Sequence, residues 1–191
     1  MNELILLRHS LTEGNERRLY YGKTDLPLTP NGIALCEKKR GTLTISPNAR
    51  FGHSGMLRAQ QTLALLFGEV SARVFTGFRE MDMGLFEMHS YEEMKDVPEY
   101  QHWISNMSDE LPIPQGESNA QVRARVCEAL NELLSLSGDQ WVVVCHGGTV
   151  AHIMRLLFPK RSETFYDWIP EPCCGYRVQF ENGTAIEVER I

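Results

Sequence analysis

Four residues of this sequence are of the types that handle anions and protons: Arg8 and His9 in ELILLRHS (3–10), Arg58 in HSGMLRAQQT (53–62) and His146 in QWVVVCHGGT (140–149). Guanidinium groups grip phosphate oxygens with forked, charge-assisted hydrogen bonds. A phosphate monoester brings about −1.5 to −2 charges at neutral pH. Arginines beside a histidine also disfavour imidazolium, which keeps the ring neutral and nucleophilic. Gly147 and Gly148 open a helix after His146, where bare backbone N–H groups attract an anion or simply make a tight turn. Glu80, in FREMDMGLFE (78–87), adds a carboxyl group. Phosphoryl transfer is mostly positioning and cationic clamping, and the set suits it. None decides it singly: a lone histidine is more often structural, and surface arginines and glutamates are common.

Regular elements must carry these residues to one place. Residues 3–7 read as a buried strand, 49–54 as a short one, 72–78 as an alternating one and 140–145 as the strongest. Helices read over 28–43, entered through Thr29 and Pro30, and over 56–68, closed by Gly68. Another covers 117–136, with Val122, Val126, Leu130, Leu133 and Leu134 on one face, and a last one runs from Gly147 to before Pro159. GYRVQFENGTAIEVERI (175–191) reads as a hairpin turning at Asn182-Gly183. Such alternation predicts an α/β fold, a mainly parallel sheet covered on both faces. Ligands bind beyond the carboxyl ends of such strands, where Arg8, His9 and His146 fall. Arg58, in the first turn of its helix, works against the helix dipole and needs another reason, such as a bound anion.

Residues 81–115 differ in texture. They hold Met81, Met83, Met88, Met94, Met107, Tyr91, Tyr100 and Trp103, with prolines at 98, 112 and 114. Ser90 and Glu93 suit a capping box for one short helix, ended at Pro98. The rest reads as a lid-like excursion. Its apolar residues either meet an irregular ligand or form a satellite core.

The 191 residues, 42% hydrophobic, suffice for one core, and the length favours one domain over residues 1–191. A net charge of −6 argues against a nucleic-acid surface and gives no attraction to anionic membranes. No apolar run approaches the ~18 residues of a membrane span, and MNELILLRH does not read as a signal peptide. Cys36, Cys127, Cys145, Cys173 and Cys174 are odd in number without paired spacing, which fits free thiols in a reducing cytoplasm. Cys173 and Cys174 read as two thiols at a strand start rather than a vicinal disulfide. The oligomeric state stays open, a homodimer included.

LILLRHSLTEGN (4–15) resembles the L-x-R-H-G-x-T-x-x-N signature of the histidine phosphatase superfamily, the phosphoglycerate mutase-like proteins. The resemblance continues, in the family's order, through YYGKTDLPLTPNG, HSGMLRAQQT, FREMDMGLFE, GES (116–118) and VVVCHGGTV. It implies a three-layer α/β/α sandwich and a small-molecule phosphate ester as partner. Position by position, it makes His9 the nucleophile that becomes a phosphohistidine. Arg8, Arg58 and His146 would form the phosphate pocket, with Asn15 and Gly147 as further contacts. Glu80 would donate the proton to the leaving oxygen and later help activate water. No metal or other cofactor is implied, because the arginines and His146 supply the positive charge. Two departures stand out. Ser10 replaces the usual glycine, a strained choice if that position needs positive φ, and Ser54-Gly55-Met56 replaces S-P-L or S-D-L.

The mutases of the family carry E-R-H-Y-G at the general acid and an arginine pair for the substrate carboxylate. Here Glu80 is followed by Met81-Asp82-Met83-Gly84, and no adjacent arginines lie between 81 and 122. The E-x-x-x-G-x-x-E pattern (Glu80, Gly84, Glu87) resembles the phosphatase members, so a histidine acid phosphatase-type phosphomonoesterase is expected. LYYGKTDLPLT resembles the α-ribazole phosphatases. A mutase-type phosphotransferase and a non-catalytic phospho-ligand-binding module are the alternatives. A metallohydrolase using His146 and His152 is disfavoured, since six residues along a helix put them on different faces. Nor is there a G-x-S-x-G nucleophile elbow.

Overall fold

A computed structural model describes residues 1–106 and 108–191 of the chain. Strand β1 (Glu3–Arg8) runs through the middle of a six-stranded sheet, and Leu4, Ile5, Leu6 and Leu7 are wholly buried. Side chains alternate along a strand, so Leu4 and Leu6 enter one core while Ile5 and Leu7 enter another. β6 (Gln140–Cys145) lies parallel to β1, with Arg8 level with Cys145. β3 (Arg50–His53) and then β4 (Ala72–Val74) continue the parallel sheet beyond β6. On the other side of β1, β7 (Gly175–Glu181) and β8 (Thr184–Arg190) add an antiparallel hairpin. Asn182 and Gly183, at φ 50° and 79°, make its turn.

Helices α2 (Pro30–Lys39) and α3 (Leu57–Phe67) cover one face through Cys36, Ala59, Leu63 and Leu66. α6 (Asn119–Ser135) and α7 (Gly147–Leu157) cover the other through Val122, Val126, Leu130, Leu133, Val150 and Ile153. Burying the larger side chains contributes about 1.5–3 kcal/mol each, and the result is a mostly parallel sheet with a helical layer on each face. Leu134 is only partly buried. Thr29 accepts the Gly32 N–H ahead of α2, and Gly68, at φ 79°, ends α3. No helix among the described residues is long and apolar enough to cross a membrane.

Two local expectations are corrected. The strand of ARVFTGF stops at Val74, and Thr76–Phe78 form a 3-10 turn that buries both Phe75 and Phe78 in one core. A strand would have sent alternate residues to opposite faces. Pro98 does not end the short helix: α4 (Tyr91–Met94) closes earlier, capped by the Ser90–Glu93 box. Pro98 opens α5 (Pro98–Asn106), where its missing N–H costs nothing.

Within 81–115, Phe86, Met94, Tyr100 and Ile113 form a third small core, joined by Tyr20, Met81, Met83 and Trp103. The segment is fixed to the rest through β5 (His89–Ser90), paired with β2 (Leu19–Tyr20). Met107 lies outside the described residues.

Candidate active site

The level ends of β1 and β6 set His9 beside His146, their ring centroids 5.1 Å apart and edge to face. A cavity of about 470 Å³ opens at these ends, and Arg8, His9, Asn15, Arg58, Glu80 and Gly147 line it. His146 is fully buried next to His9. The residues singled out in the sequence, drawn from four separate segments, therefore meet at one place.

His9 Nδ1 lies 2.6 Å from the Ser10 carbonyl oxygen. A carbonyl only accepts, so Nδ1 carries the proton and Nε2 keeps its lone pair. Burial first, then the Arg58 and Arg8 guanidinium groups, hold the His9 pKa well below its ordinary value. A neutral ring with a bare nitrogen has the chemistry of a nucleophile.

Arg58 is fully buried in the first turn of α3. Its Nε donates to His146 Nδ1 at 3.2 Å, and its two terminal nitrogens donate to Thr24 O at 3.0 Å and Gly22 O at 2.7 Å. The Tyr21 ring lies 5.0 Å from the guanidinium carbon. These partners offset its place at the wrong end of the helix dipole. Arginine has no acceptor, so His146 Nδ1 must accept, and the remaining proton on Nε2 is donated to Ser54 Oγ at 2.8 Å. Burial, then Arg58, also lower the His146 pKa well below the usual value. The expectation that His146 adds positive charge is thereby corrected: the ring is neutral and orients Arg58, which carries the charge.

Arg8 donates to Pro170 O at 2.9 Å, but its Nε is buried without a partner, the single such side-chain nitrogen or oxygen among the described residues. An unpaired buried donor costs about 1–3 kcal/mol, and more when charged. An anion in the cavity would remove that cost. Asn15 Oδ1, on the short helix α1 (Glu13–Glu16), accepts the Thr12 N–H at 3.1 Å and the Tyr21 hydroxyl at 2.9 Å. That leaves its NH₂ group as a donor on a residue that lines the cavity.

Glu80 accepts the Met81 N–H at 3.0 Å and the Gly148 N–H at 3.0 Å. A Cβ at Gly148 would lie 2.8 Å from Glu80 Oε1, so glycine lets the carboxyl group sit here without shifting. The bare amides expected after His146 are corrected accordingly: at Gly148 the helix N-terminal N–H is taken by the protein's own Glu80 side chain.

Both departures from the family pattern find partners. Ser10 is absent from the positive-φ residues, so it carries no strain of that kind. It is fully buried; its N–H donates to Thr62 Oγ1 at 2.9 Å and its hydroxyl to Gly32 O at 2.7 Å. Gly55 takes φ 85° in the turn that leads from Ser54 into α3.

Other residues at the site escaped the sequence reading. Glu87, noted only as a letter in a pattern, accepts the Gly22, Lys23 and Thr24 N–H groups at 2.9, 2.9 and 3.2 Å and the Thr24 hydroxyl at 2.6 Å. It thus braces the segment whose carbonyls hold Arg58. His152 lines the cavity after all, 4.8 Å from the Phe165 ring, its pKa lowered to about 4 chiefly by burial. Nothing in its spacing signalled this. Met81, Met83, Phe86 and Trp103 line the cavity, whereas Met94 and Tyr100 serve only the third core, so both readings of the excursion hold for different residues.

The family model of the histidine phosphatase superfamily (branch 1) matches residues 4–190. The chain belongs to this superfamily. A protein named "Putative phosphoserine phosphatase 2" from Hydrogenobacter thermophilus is 30% identical over 169 residues, spanning 82% of this chain and 79% of that one. Among solved structures, the phosphoglycerate mutase of Thermus thermophilus is similar with a TM-score of 0.73 and 28% identity over 99% of each chain. The α-ribazole phosphatase of Shigella flexneri has a TM-score of 0.81 at 23% identity, over 96% of this chain and 93% of that one, a likeness of fold. Histidine phosphatases include both phosphatases and mutases, and the chain is an enzyme of that kind acting on small phosphate esters.

Proposed function

We propose that the chain is a phosphomonoesterase that hydrolyses a small phosphorylated metabolite through a phosphohistidine on His9. The observation that carries this reading is the unpaired, buried Nε of Arg8 in the same cavity as the bare Nε2 of His9. Nε2 attacks phosphorus in line with the leaving oxygen. Arg8, Arg58, Asn15 and the Gly147 backbone hold the equatorial oxygens, while His146 keeps Arg58 aimed. Glu80 gives a proton to the leaving oxygen, then takes one from the water that cleaves the phosphohistidine. No metal or other cofactor takes part in this scheme.

Met81, Met83, Phe86 and Trp103, together with Phe165, Tyr166 and Ile169, make the cavity larger and more apolar than phosphate needs. The leaving group accordingly has apolar surface, and α-ribazole 5′-phosphate is a candidate. This view treats residues 1–191 as one cytoplasmic domain in which 81–115 forms the cavity's wall and lid.

One observation favours a second reading. Arg123 and Arg155 also line the cavity, and although Arg123 pairs with Asp109 at 2.6 Å, a carboxylate on the substrate would find Arg155. Phosphoserine or 3-phosphoglycerate would suit that arrangement, the latter with mutase chemistry. A panel containing all three esters, scored for released phosphate and for mutase product, decides. Hydrolysis of a bulky ester no faster than that of a three-carbon one would remove the apolar-leaving-group reading.

A further inference from the structure

Three sulfurs gather behind the loop that carries His9. Cys36 on α2 and Cys173, two residues ahead of β7, are buried, and their Sγ atoms lie 3.3 Å apart although 137 residues separate them in sequence. The hydroxyls of Ser10 and Thr62 adjoin Cys36, and Lys39 Nζ donates to Cys174 Sγ at 3.1 Å. Cys173 sits at φ 57°, a region that side chains other than glycine and asparagine rarely take.

Each sulfur sits on an element that holds the Arg8–Leu11 backbone. The Cys173 N–H donates to Arg8 O at 3.2 Å, and Cys174 O accepts the Arg8 N–H at 2.9 Å. On the α2 side, Gly32 O accepts the Ser10 hydroxyl at 2.7 Å, and the Thr29 N–H donates to Leu11 O at 3.0 Å. A second cavity of about 330 Å³, lined by Lys39, Thr42, Thr44, Cys173 and Arg177, brings a small oxidant to the sulfur pair at Cys173, 3.3 Å from the Cys36 sulfur.

We propose that Cys36 and Cys173 form a redox modification site: hydrogen peroxide joins them in a disulfide that displaces the His9 loop and lowers turnover, and a thiol reductant reverses it. The turnover half rests on the phosphatase reading; the cross-link half does not. One sulfur, as thiolate, attacks a peroxide oxygen and becomes a sulfenic acid, releasing hydroxide. The other sulfur displaces the sulfenic oxygen, the S–S bond forms, and the two thiol protons end in water. Two thiols and one peroxide thus give one disulfide and two waters. The hydrogen bond between the two sulfurs lowers the Cys36 pKa, which supplies the thiolate. Bonded sulfurs lie about 2.05 Å apart, so closure from 3.3 Å moves the two sulfurs together by more than ~1 Å and pulls on α2 and the segment before β7. A misplacement of that size at a reacting group costs about 10²-fold.

The test treats the full chain with hydrogen peroxide, digests it with trypsin without reductant, and assays p-nitrophenyl phosphate in parallel. The expected results are a peptide pair 24–38 linked to 162–177, an intact mass lower by two hydrogens, and turnover lowered tenfold or more and restored by dithiothreitol. Cys174→Ala keeps the link, whereas Cys36→Ala and Cys173→Ala lose it and hold their turnover under peroxide. Cys36→Ser, which keeps size and hydrogen bonding, serves if Cys36→Ala folds poorly. No link, a link confined to 162–177, a link with unchanged turnover, or equal inactivation of the Cys36 variants overturns the proposal. A linked chain with no turnover in either state would instead reject the phosphatase reading.

Discussion

Arg58 Nε and His146 Nδ1 share one hydrogen bond, 3.2 Å long and buried, and it fixes the roles of both residues. The bond exists only while His146 is neutral, so the two act as one cation with an oriented fork. His146→Ala leaves the Arg58 Nε–H unpaired and should lower kcat/KM by roughly 10²-fold. His146→Asn or His146→Gln, which offer an acceptor but no charge, should recover part of it. If His146→Lys recovered activity and the amides did not, charge rather than orientation would be the role of His146. Steady-state kinetics on p-nitrophenyl phosphate makes the comparison.

Glu87 acts one step further out. Its carboxylate collects three consecutive N–H groups from Gly22 to Thr24, and the carbonyls of Gly22 and Thr24 hold Arg58. Glu87→Ala should release that segment and lower kcat by about 10- to 100-fold, while Glu87→Gln, which retains one acceptor oxygen, should lose less. Equal losses in the two variants would contradict a positioning role.

Acid should destabilise the fold through its buried histidines. His9, His146 and His152 all have folded pKa values below 6.5. Below pH 6.5 the unfolded chain therefore takes up protons that the folded chain refuses. The stability these residues contribute is full above 6.5 and is lost as pH falls, at up to about 1.4 kcal/mol per pH unit for each. For His152 the window runs from 6.5 down to about 4. Urea unfolding between pH 7.5 and 5 should show the decline, and His152→Gln should make it shallower. An unchanged slope would contradict the burial of a neutral His152.

Much of this arrangement is legible in the amino-acid sequence. The apolar runs into Arg8 and His146 name two strands, and the rule that α/β sheets bind ligands at carboxyl strand ends places both residues at one crevice. Arg58 and Glu80 carry weak local signals, and the resemblance gave them their roles. What stayed hidden depends on distance rather than pattern. The proton positions on His9 and His146 follow from single partners, the Ser10 carbonyl that accepts and the Arg58 Nε–H that donates, which no spacing reveals. Gly148 looks like an open amide until Glu80 is seen against it. ARVFTGF alternates like a strand for seven residues, yet burying both Phe75 and Phe78 in one core outweighs the strand pattern after Val74.

Ser10, the odd letter in the signature, is a structural tie. Ser10→Gly deletes the buried hydroxyl that donates to Gly32 O and frees the backbone. It should cost about 1–2 kcal/mol of stability in thermal or urea unfolding, with a smaller effect on kcat than any change at His9. A variant at least as stable as the parent would contradict the role given to that hydrogen bond.

The central claim is that His9 Nε2 takes the phosphoryl group. Rapid quenching with a ³²P-labelled phosphate ester, followed by peptide mapping, tests it most directly. The account predicts an acid-labile, base-stable phosphoenzyme on His9 that forms before free phosphate accumulates. It predicts none in His9→Ala, whose turnover is lost. Turnover retained in His9→Ala, or label on another residue, would contradict it.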